Sequence, residues 1–509
     1  MHLAEHLKEL HPQGMPLVRA GIDTHQEPVV YMRSTCAVCK SEGFEAEARV
    51  WVEVGARSCI ATLNVVTDGT WLDEGVAALS DAAWNRLQPS ALDRATFRHA
   101  DSPESTRFIR SKVYGHTLAR DEYSAIMHDA VAGTLSDLDL TAFLTACASR
   151  DLDVTEMTAL TLAMVDAGER LTWNSSPILD KHCVGGLAGN RTTPIVVAIV
   201  AACGGIIPKT SSRAITSPAG TADAMETLAP VDLPLGAMRR VVEREGGCIV
   251  WGGSVGLSPA DDALIRLERA LDFDSDAQLV ASVLSKKLSA GSTHVLIDMP
   301  VGPTAKVRSA DSASSLGGKL IAVANVIGLS VRVHLSDGSQ PVGRGIGPAL
   351  EARDLLAVLE RRPEAPCDLR ERALELAGAL LELGGVRPGD GYTRAQRALD
   401  DGSALHKFEA ICEAQGGRRI PPRAPHQAVI AAPYDGVVSA IDNRLLSRLA
   451  KLAGAPRSPA AGVDLHVRAG TRVATGTPLA TLHATTEGEL EYAQAYRRHH
   501  PGWMQVTPE

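Results

Sequence analysis

Along the first 95 residues, apolar and polar positions alternate in short stretches. Pro28–Met32, Glu45–Val54 and Cys59–Val66 carry this pattern, and Gly and Asp interrupt it. A period near two belongs to strands with one buried face, so the segment reads as a β-rich module. From Thr106 the period lengthens. Arg107–Gly115, Asp121–Gly133, Asp139–Ala148 and Thr155–Gly168 repeat apolar residues every three or four places, with polar starts and several Gly stops. In the last of these, Leu160, Ala163, Met164 and Ala167 share one face, and Gly168 suits the left-handed position after a helix. A compact helical layer is predicted. Beyond Trp173, short apolar runs (Pro177–Leu179, Cys248–Trp251, His294–Ile297, Val331–Leu335) alternate with longer helical stretches. That texture predicts an α/β domain with Gly-rich strand-to-helix loops. A further helical piece, Ala277–Ala290, interrupts it. From about Ala428 turn signals crowd again, most densely in Val467–Ala484, which predicts a small β-rich unit.

The expected fold class is therefore α/β: a helical domain plus a larger mixed α/β domain, with an extra β-rich N-terminal module and a C-terminal β-rich unit. The expected boundaries are 1–95 for the module and 96–170 for the helical domain, completed by about 258–290. The α/β domain is expected over 171–257 and 291–425, and the C-terminal unit over 426–509. A length of 509 residues suits this, since it makes about three or four domains at roughly 100–200 residues each.

Composition narrows the functional classes. Lys plus Arg is 51 and Asp plus Glu 60, a net charge of −9, which argues against a general nucleic-acid binder. Residues 1–12 are too charged for a signal-peptide apolar core, and Pro194–Pro208 is too short and Gly-broken to span a bilayer. Nine cysteines without a paired framework suit a reducing compartment. A cytoplasmic protein without a membrane partner is expected.

Two neighbouring loops carry the chemistry. Asp180–Thr193 (DKHCVGGLAGNRTT) lies between an apolar strand and an apolar helix starting near Pro194. Its three glycines let backbone amides turn toward one centre, and the following helix offers its N-terminal amides. Lys181 adds a full charge; Thr192 and Thr193 add hydroxyls. Together these make an anion site, most simply for phosphate. A tight turn without a ligand would use the same glycines. The second loop, Lys209–Glu226, holds six hydroxyl residues in twelve positions, beside Arg213 and ahead of a helix near Thr221. Thr221 as N-cap and Asp223 in the first turn would also serve a plain helix start.

At these two loops a family becomes recognisable. SSRAITSPAGTADAME (211–226) resembles the signature of thymidine and pyrimidine-nucleoside phosphorylases. Lys181–Gly186 (KHCVGG) resembles their phosphate loop. RSKVYGHTL (110–118), WGGSVGLSPADD (251–262) and ASVLSKK (281–287) extend the likeness over roughly residues 105–490. The N-terminal module and the RAITSP spelling resemble the long branch that includes AMP phosphorylases.

The resemblance implies reversible phosphorolysis: a nucleoside or nucleotide plus phosphate gives free base and a sugar 1-phosphate. It implies no metal and no organic cofactor, phosphate being a substrate, and a homodimer or higher homo-oligomer. Family phosphate ligands carry over to Lys181, Thr193, Ser211 and Thr221, with Cys183 in place of a family serine. His182 matches a base-side histidine, and Ser282 and Lys286 match base-recognition residues four apart on a helix. Where the thymidine enzymes have an Arg, this chain has Leu267. The AMP-type branch implies Asp274 as proton donor and nucleotide contacts through Gly186, the span Ser212, Arg213, Ala214, Ile215, Thr216 and Ser217, and Lys306. Two other classes stay open. A magnesium-dependent phosphoribosyltransferase would need an acidic pair, for which Asp223 and Glu226 are the candidates. A non-catalytic binding protein would be consistent with Cys183 and the extra module.

Other features read as structural. Cys36 and Cys39 form a C-x-x-C that is half a zinc site with no second pair at ribbon spacing. Val467–Ala484 resembles a lipoyl-type hammerhead, yet Ala460–Glu487 has no Lys to carry a cofactor. Ile109, Val113, Ile126 and Leu144 are apolar positions of the helical layer, open to use in a dimer interface or in the monomer core.

Overall fold

The computed structural model describes residues 14–508 except 69, 215–216 and 272–274. The chain divides into two compact units, Met1–Arg150 and Asp151–Glu509. That division falls inside the expected helical domain.

The first unit opens with a closed six-stranded barrel. Its strands are β1 (Met15–Arg19), β2 (Val29–Arg33), β3 (Arg49–Val54), β4 (Arg57–Val66), β5 (Ala77–Leu79) and β6 (Arg94–His99), in the order β1-β5-β2-β4-β3-β6. Closure leaves no free edge. The alternation seen in sequence becomes the inside of the barrel, with Val30, Met32, Val50, Val52, Ala61 and Leu63 forming its core. Two short helices accompany it, α1 (Ala37–Glu42) and α2 (Asp81–Leu87). Cys36 caps α1, its Sγ accepting the Cys39 N–H at 3.1 Å, and both thiols are buried. Among the described residues no group of three or more His, Cys, Asp or Glu could hold a metal. Three helices complete the unit: α3 (Ser105–Val113), α4 (Arg120–Ala132) and α5 (Asp137–Ala148). Ile109, Ile126 and Leu144 are core, whereas Val113 is exposed beside Tyr114.

The second unit begins with α6 (Val154–Asp166), whose cap is Asp153 accepting from the Glu156 N–H at 2.8 Å. Gly168 is not left-handed. A Cβ there would stand 2.7 Å from Pro259 Cδ and 2.9 Å from Leu257 O, so close approach of a neighbouring segment is what requires glycine.

A parallel sheet follows. Strand β7 (Leu179–Cys183), helix α7 (Thr193–Ala202), strand β8 (Ile207–Ser211), helices α8 (Thr221–Glu226) and α9 (Leu235–Glu245), and strand β9 (Gly247–Trp251) come in that order. Helices α10 (Pro259–Leu271) and α11 (Asp276–Ser289) then precede β10 (His294–Val301), α12 (Ala310–Val326) and β11 (Ser330–Asp337). Strands β11, β10 and β7 pair in parallel, β8 pairs with β9, and an Ile178–Ile206 bridge links the two sets. Asp180 to Cys183, expected in a loop, are strand residues: the Asp180 and Lys181 side chains are held by ion pairs, and β10 supplies the backbone partners from Val295 to Asp298. Helix α7 is buried from Thr193 to Ala201. An all-round apolar helix belongs inside a core, and here it packs with Ile207, Ile249, Leu380 and Phe408.

Strand β12 (Gly345–Ile346) leads to α13 (Pro348–Leu359), α14 (Cys367–Leu383), α15 (Gly391–Asp400) and α16 (Ser403–Ala414). The C-terminal part comprises β13 (His426–Ala431), β14 (Gly436–Ile441), α17 (Asn443–Leu452), β15 (Gly462–Leu465), β16 (Arg472–Val473), β17 (Pro478–Ala484), α18 (Glu487–His499) and β18 (Met504–Thr507). One of its two antiparallel sheets takes β12 as an edge strand, paired to β15. Asn443 reaches back from α17: its Oδ1 accepts the Ala188 N–H at 3.2 Å and its Nδ2 donates to Thr304 Oγ1 at 3.0 Å.

Candidate active site

The carboxyl end of β7, the Gly-rich loop after it and the start of α7 converge with the end of β8 and the start of α8. Period-two geometry sends Lys181 and Cys183 to one face of β7, and Asp180 and His182 to the other.

On the first face, Lys181 is fully buried. Its Nζ donates to Thr192 Oγ1 at 2.9 Å and lies 3.4 Å from Asp298 Oδ2. Burial opposes ionisation of Asp298, but Lys181 and Arg372, with hydrogen bonds from Ser336 and Asn190, hold its carboxyl below the usual range. Asn190 Nδ2 also donates to Cys183 Sγ at 3.3 Å. Burial, with Asp298 beside it, pushes the Cys183 thiol up to about 11, so it is protonated at neutral pH and only a weak donor.

Gly185 and Gly186 both adopt left-handed φ, +98° and +77°. A Cβ on Gly186 would stand 2.2 Å from Lys306 N, so the two residues the AMP-type likeness singled out lie back to back. Thr193 is the first residue of α7, with Thr192 as its cap, and both are buried. Arg191 clamps the second loop. It donates to Thr221 Oγ1 at 2.7 Å and to Ala219 O at 2.8 Å, and its Nε donates to the buried Glu351 at 2.6 Å.

The cap of α8 is Gly220 rather than Thr221, which is the first helical residue. Asp223 reaches back to accept from the Gly220 N–H at 2.8 Å and the Ala214 N–H at 2.6 Å. Arg213 donates to Glu226 at 2.5 Å, lies 3.4 Å from Asp223, and stacks 4.9 Å over the Trp251 ring. The acidic pair weighed as a magnesium site is thus engaged by Arg213. Ser212 O accepts the Ala222 N–H, and Ser217 Oγ donates to Ala219 O at 2.8 Å.

Ser211 closes β8. Its side chain is buried at the end of β8, and its Oγ has no hydrogen-bond partner within the protein. A buried hydroxyl without a partner costs about 1–3 kcal/mol, and this one ends β8 at the opening of the second loop, free to donate to an anion.

On the other face of β7, the buried Asp180 lies 2.8 Å from Lys287 Nζ and 3.5 Å from Lys209 Nζ. Burial, reinforced by Lys287, Lys209, Lys286 and Lys181, holds the His182 imidazole well below its ordinary value. It is therefore a neutral ring at pH 7. On α11, Lys286 Nζ donates to Ser282 Oγ at 2.9 Å and to Asp261 Oδ2 at 2.7 Å, so the Ser282 and Lys286 side chains share a helix face. Leu267, on α10, is buried. Asp274, Ile215 and Thr216 lie outside the described residues.

Sequence reasoning assigned no role to Asn190, Arg191, Lys209, Asp261, Asp298 or Glu351. Asn190, Arg191, Lys209 and Asp261 lay inside the quoted motifs. Asp298 and Glu351 lay outside them, and the site residues they hold, Lys181 and Arg191, are distant in sequence.

Family models match three segments. They are a glycosyl transferase family a/b domain over residues 175–405, the helical bundle domain of that family over 106–168, and a pyrimidine nucleoside phosphorylase C-terminal domain over 437–499. A protein of Acidovorax sp. (strain JS42), named "Putative thymidine phosphorylase 1", is 61% identical over 492 residues, 96% of each chain. One from Hahella chejuensis (strain KCTC 2396), with the corresponding name, is 58% identical over 494 residues, covering 97% of this chain and 98% of its own. Anthranilate phosphoribosyltransferase from Thermus thermophilus aligns with a TM-score of 0.50 at 19% identity, over 60% of this chain and 98% of its own, a likeness of fold alone.

Proposed function

The chain belongs to the glycosyl transferase family whose helical bundle and a/b domains it carries, and from that premise we propose that it is a pyrimidine-nucleoside phosphorylase. The reaction is thymidine plus orthophosphate to thymine plus 2-deoxyribose 1-phosphate, reversibly, by a pentosyltransferase. The observation that carries it is the Ser211 hydroxyl, buried and without a partner in the fold. Lys181, Thr193, Ser211 and Thr221 hold orthophosphate, with the amides of the Gly185–Gly186 turn and the start of α7 completing the cradle. Cys183 adds a weak contact where the family has a serine.

Held there, phosphate is a pre-positioned nucleophile beneath C1′, and its charge steadies the positive sugar of the transition state. Ser282 and Lys286 face the base, and Lys286 offsets negative charge as the base leaves. Neutral His182 supplies a ring N–H to the base side without placing a cation beside the sugar. Asp274 remains our candidate acid for protonating the leaving base. No cofactor is needed in this scheme, because orthophosphate is itself a reactant. Exposed Val113 and Tyr114 support a homodimer through the helical layer. Among the described residues no helix is long and apolar enough to cross a membrane, and we place the enzyme in the cytoplasm.

Leu267, Asp274 and Lys306 raised the alternative of a 5′-monophosphate substrate. The relatives' names and the C-terminal domain do not favour it. A panel assay tests the choice: base release is expected from thymidine, only with phosphate, and lost in Lys181→Ala. Release from monophosphates alone, or equal release without phosphate, would overturn the proposal.

A further inference from the structure

Lys209 has no role in the scheme above. It lies on β8 two residues before Ser211, so the two side chains leave the same face of the strand. Its ammonium is buried and donates to the Thr210 carbonyl. It shares Asp180 with Lys287, at 3.5 Å and 2.8 Å, and the Asp180 side chain is 0% exposed. Two amine nitrogens thus share one carboxylate, out of reach of water, on the face of β8 from which Ser211 also leaves. With both ionised, one positive charge would be left over, and buried surplus charge is costly unless something balances it.

The charged and titratable groups around Lys209 come from three other elements. Strand β7 gives Asp180, Lys181 and His182; helix α11 gives Lys287. Strand β9 gives Cys248, whose Sγ lies 4.0 Å from Lys209 O and whose thiol burial pushes upward. Among the described residues, Asp180 is the carboxylate at ion-pair distance from Lys209. Burial, aided by Lys287 and Lys181 and opposed by Asp180, pushes the Lys209 ammonium down to about 7.

We propose that Lys209 is a positioning residue of the anion site that takes up a proton from solvent as the anion binds. Without the anion it is a neutral amine above about pH 7, and Lys287 stays paired to Asp180 at 2.8 Å. With a dianion seated at Ser211, the amine binds a proton from solvent and becomes ammonium, with the Asp180 carboxylate 3.5 Å away as its partner. The inference rests on the phosphorylase reading. It deepens that reading by tying phosphate affinity to a second charge that phosphate itself calls up.

Orthophosphate titrates near neutrality, so sulfate is the probe: a dianion of the same shape that stays fully ionised. Calorimetric titration of the whole chain with sulfate, in buffers of differing ionisation enthalpy, counts the protons exchanged. Wild type should take up protons above about pH 7 and few near pH 6, and its sulfate affinity should fall by up to about tenfold per pH unit across that window. His182→Asn should take up protons as wild type does. Lys209→Met should bind sulfate more weakly, with no uptake and no slope. Uptake that survives in Lys209→Met, or that vanishes in His182→Asn, would overturn the proposal. So would proton-neutral binding by wild type, which keeps the test decisive even if Lys209→Met does not fold. Sulfate and phosphate both failing to bind at any pH would instead remove the anion site and the phosphorylase reading with it.

Discussion

Replacing Ser211 with Ala separates a ligand contact from a structural one. The Ser211 hydroxyl is buried and bonded to nothing in the protein. Removing it therefore deletes no native hydrogen bond, and it relieves an unsatisfied polar atom worth about 1–3 kcal/mol. The variant should be as stable as wild type toward urea, or more stable by about 1 kcal/mol once the small void is counted. Phosphate binding should move the other way. A hydrogen bond to a charged group contributes about 1.5–3 kcal/mol, so the phosphate KM should rise by about 10- to 150-fold. The thymidine KM, read at saturating phosphate, should change little. Steady-state rates across phosphate concentration, paired with urea unfolding of the free enzyme, give both numbers. A less stable variant with an unchanged phosphate KM would show that the hydroxyl serves the fold, and the anion assignment would fail.

Three other outcomes follow from the same geometry. Cys183→Ser restores a full hydroxyl donor where burial keeps the thiol protonated, and should lower the phosphate KM by about 2- to 12-fold; an unchanged value would mean that backbone amides already meet that oxygen. Gly186→Ala forces a Cβ to 2.2 Å from Lys306 N at a φ of +77°, and should cost more than about 1 kcal/mol of stability and most of the activity; a stable, active variant would contradict the packing. Because the folded Asp298 carboxyl sits below its ordinary value, its ionised form stabilises the fold above the unfolded value near ~4, and that contribution is lost as pH falls through the lower folded value. Asp298→Asn should flatten this acid limb in urea unfolding below about pH 4 and cost about 3–5 kcal/mol at neutrality by leaving Lys181 unpaired; parallel limbs for the two proteins would refute the pairing.

The parts of the molecule that were legible in sequence are those set by neighbours along the chain. Alternation in Cys59–Val66 marked a barrel strand, and the all-apolar stretch after Thr193 marked a buried helix. Four-residue spacing put Ser282 and Lys286 on one face. What was missed depends on partners far away. Asp180–Cys183 looked like a loop because polar residues dominate it, yet β10 and three lysines make it a strand. Arg191 carried no local sign that Glu351, 160 residues later, would hold it against Thr221. Gly220 displaced Thr221 as cap because a glycine there lets the chain pass Ser212 O and Arg213 C, each 2.5 Å from where a Cβ would be. Gly168 was read as a helix stop, whereas the tight passage of Leu257 decides it.

Asn443 and the β12–β15 ladder bind the C-terminal part into the machinery it follows. A nonsense mutation upstream of them would strip the turn around Ala188 of its brace and leave Gly345–Ile346 as an orphaned edge, so shortened forms cannot serve as leaner catalysts. Recombination between relatives faces the same constraint: a crossover that imports a foreign tail has to bring its own counterpart of Gly345–Ile346, and splicing at the apparent seam near residue 425 would join halves that no longer interlock.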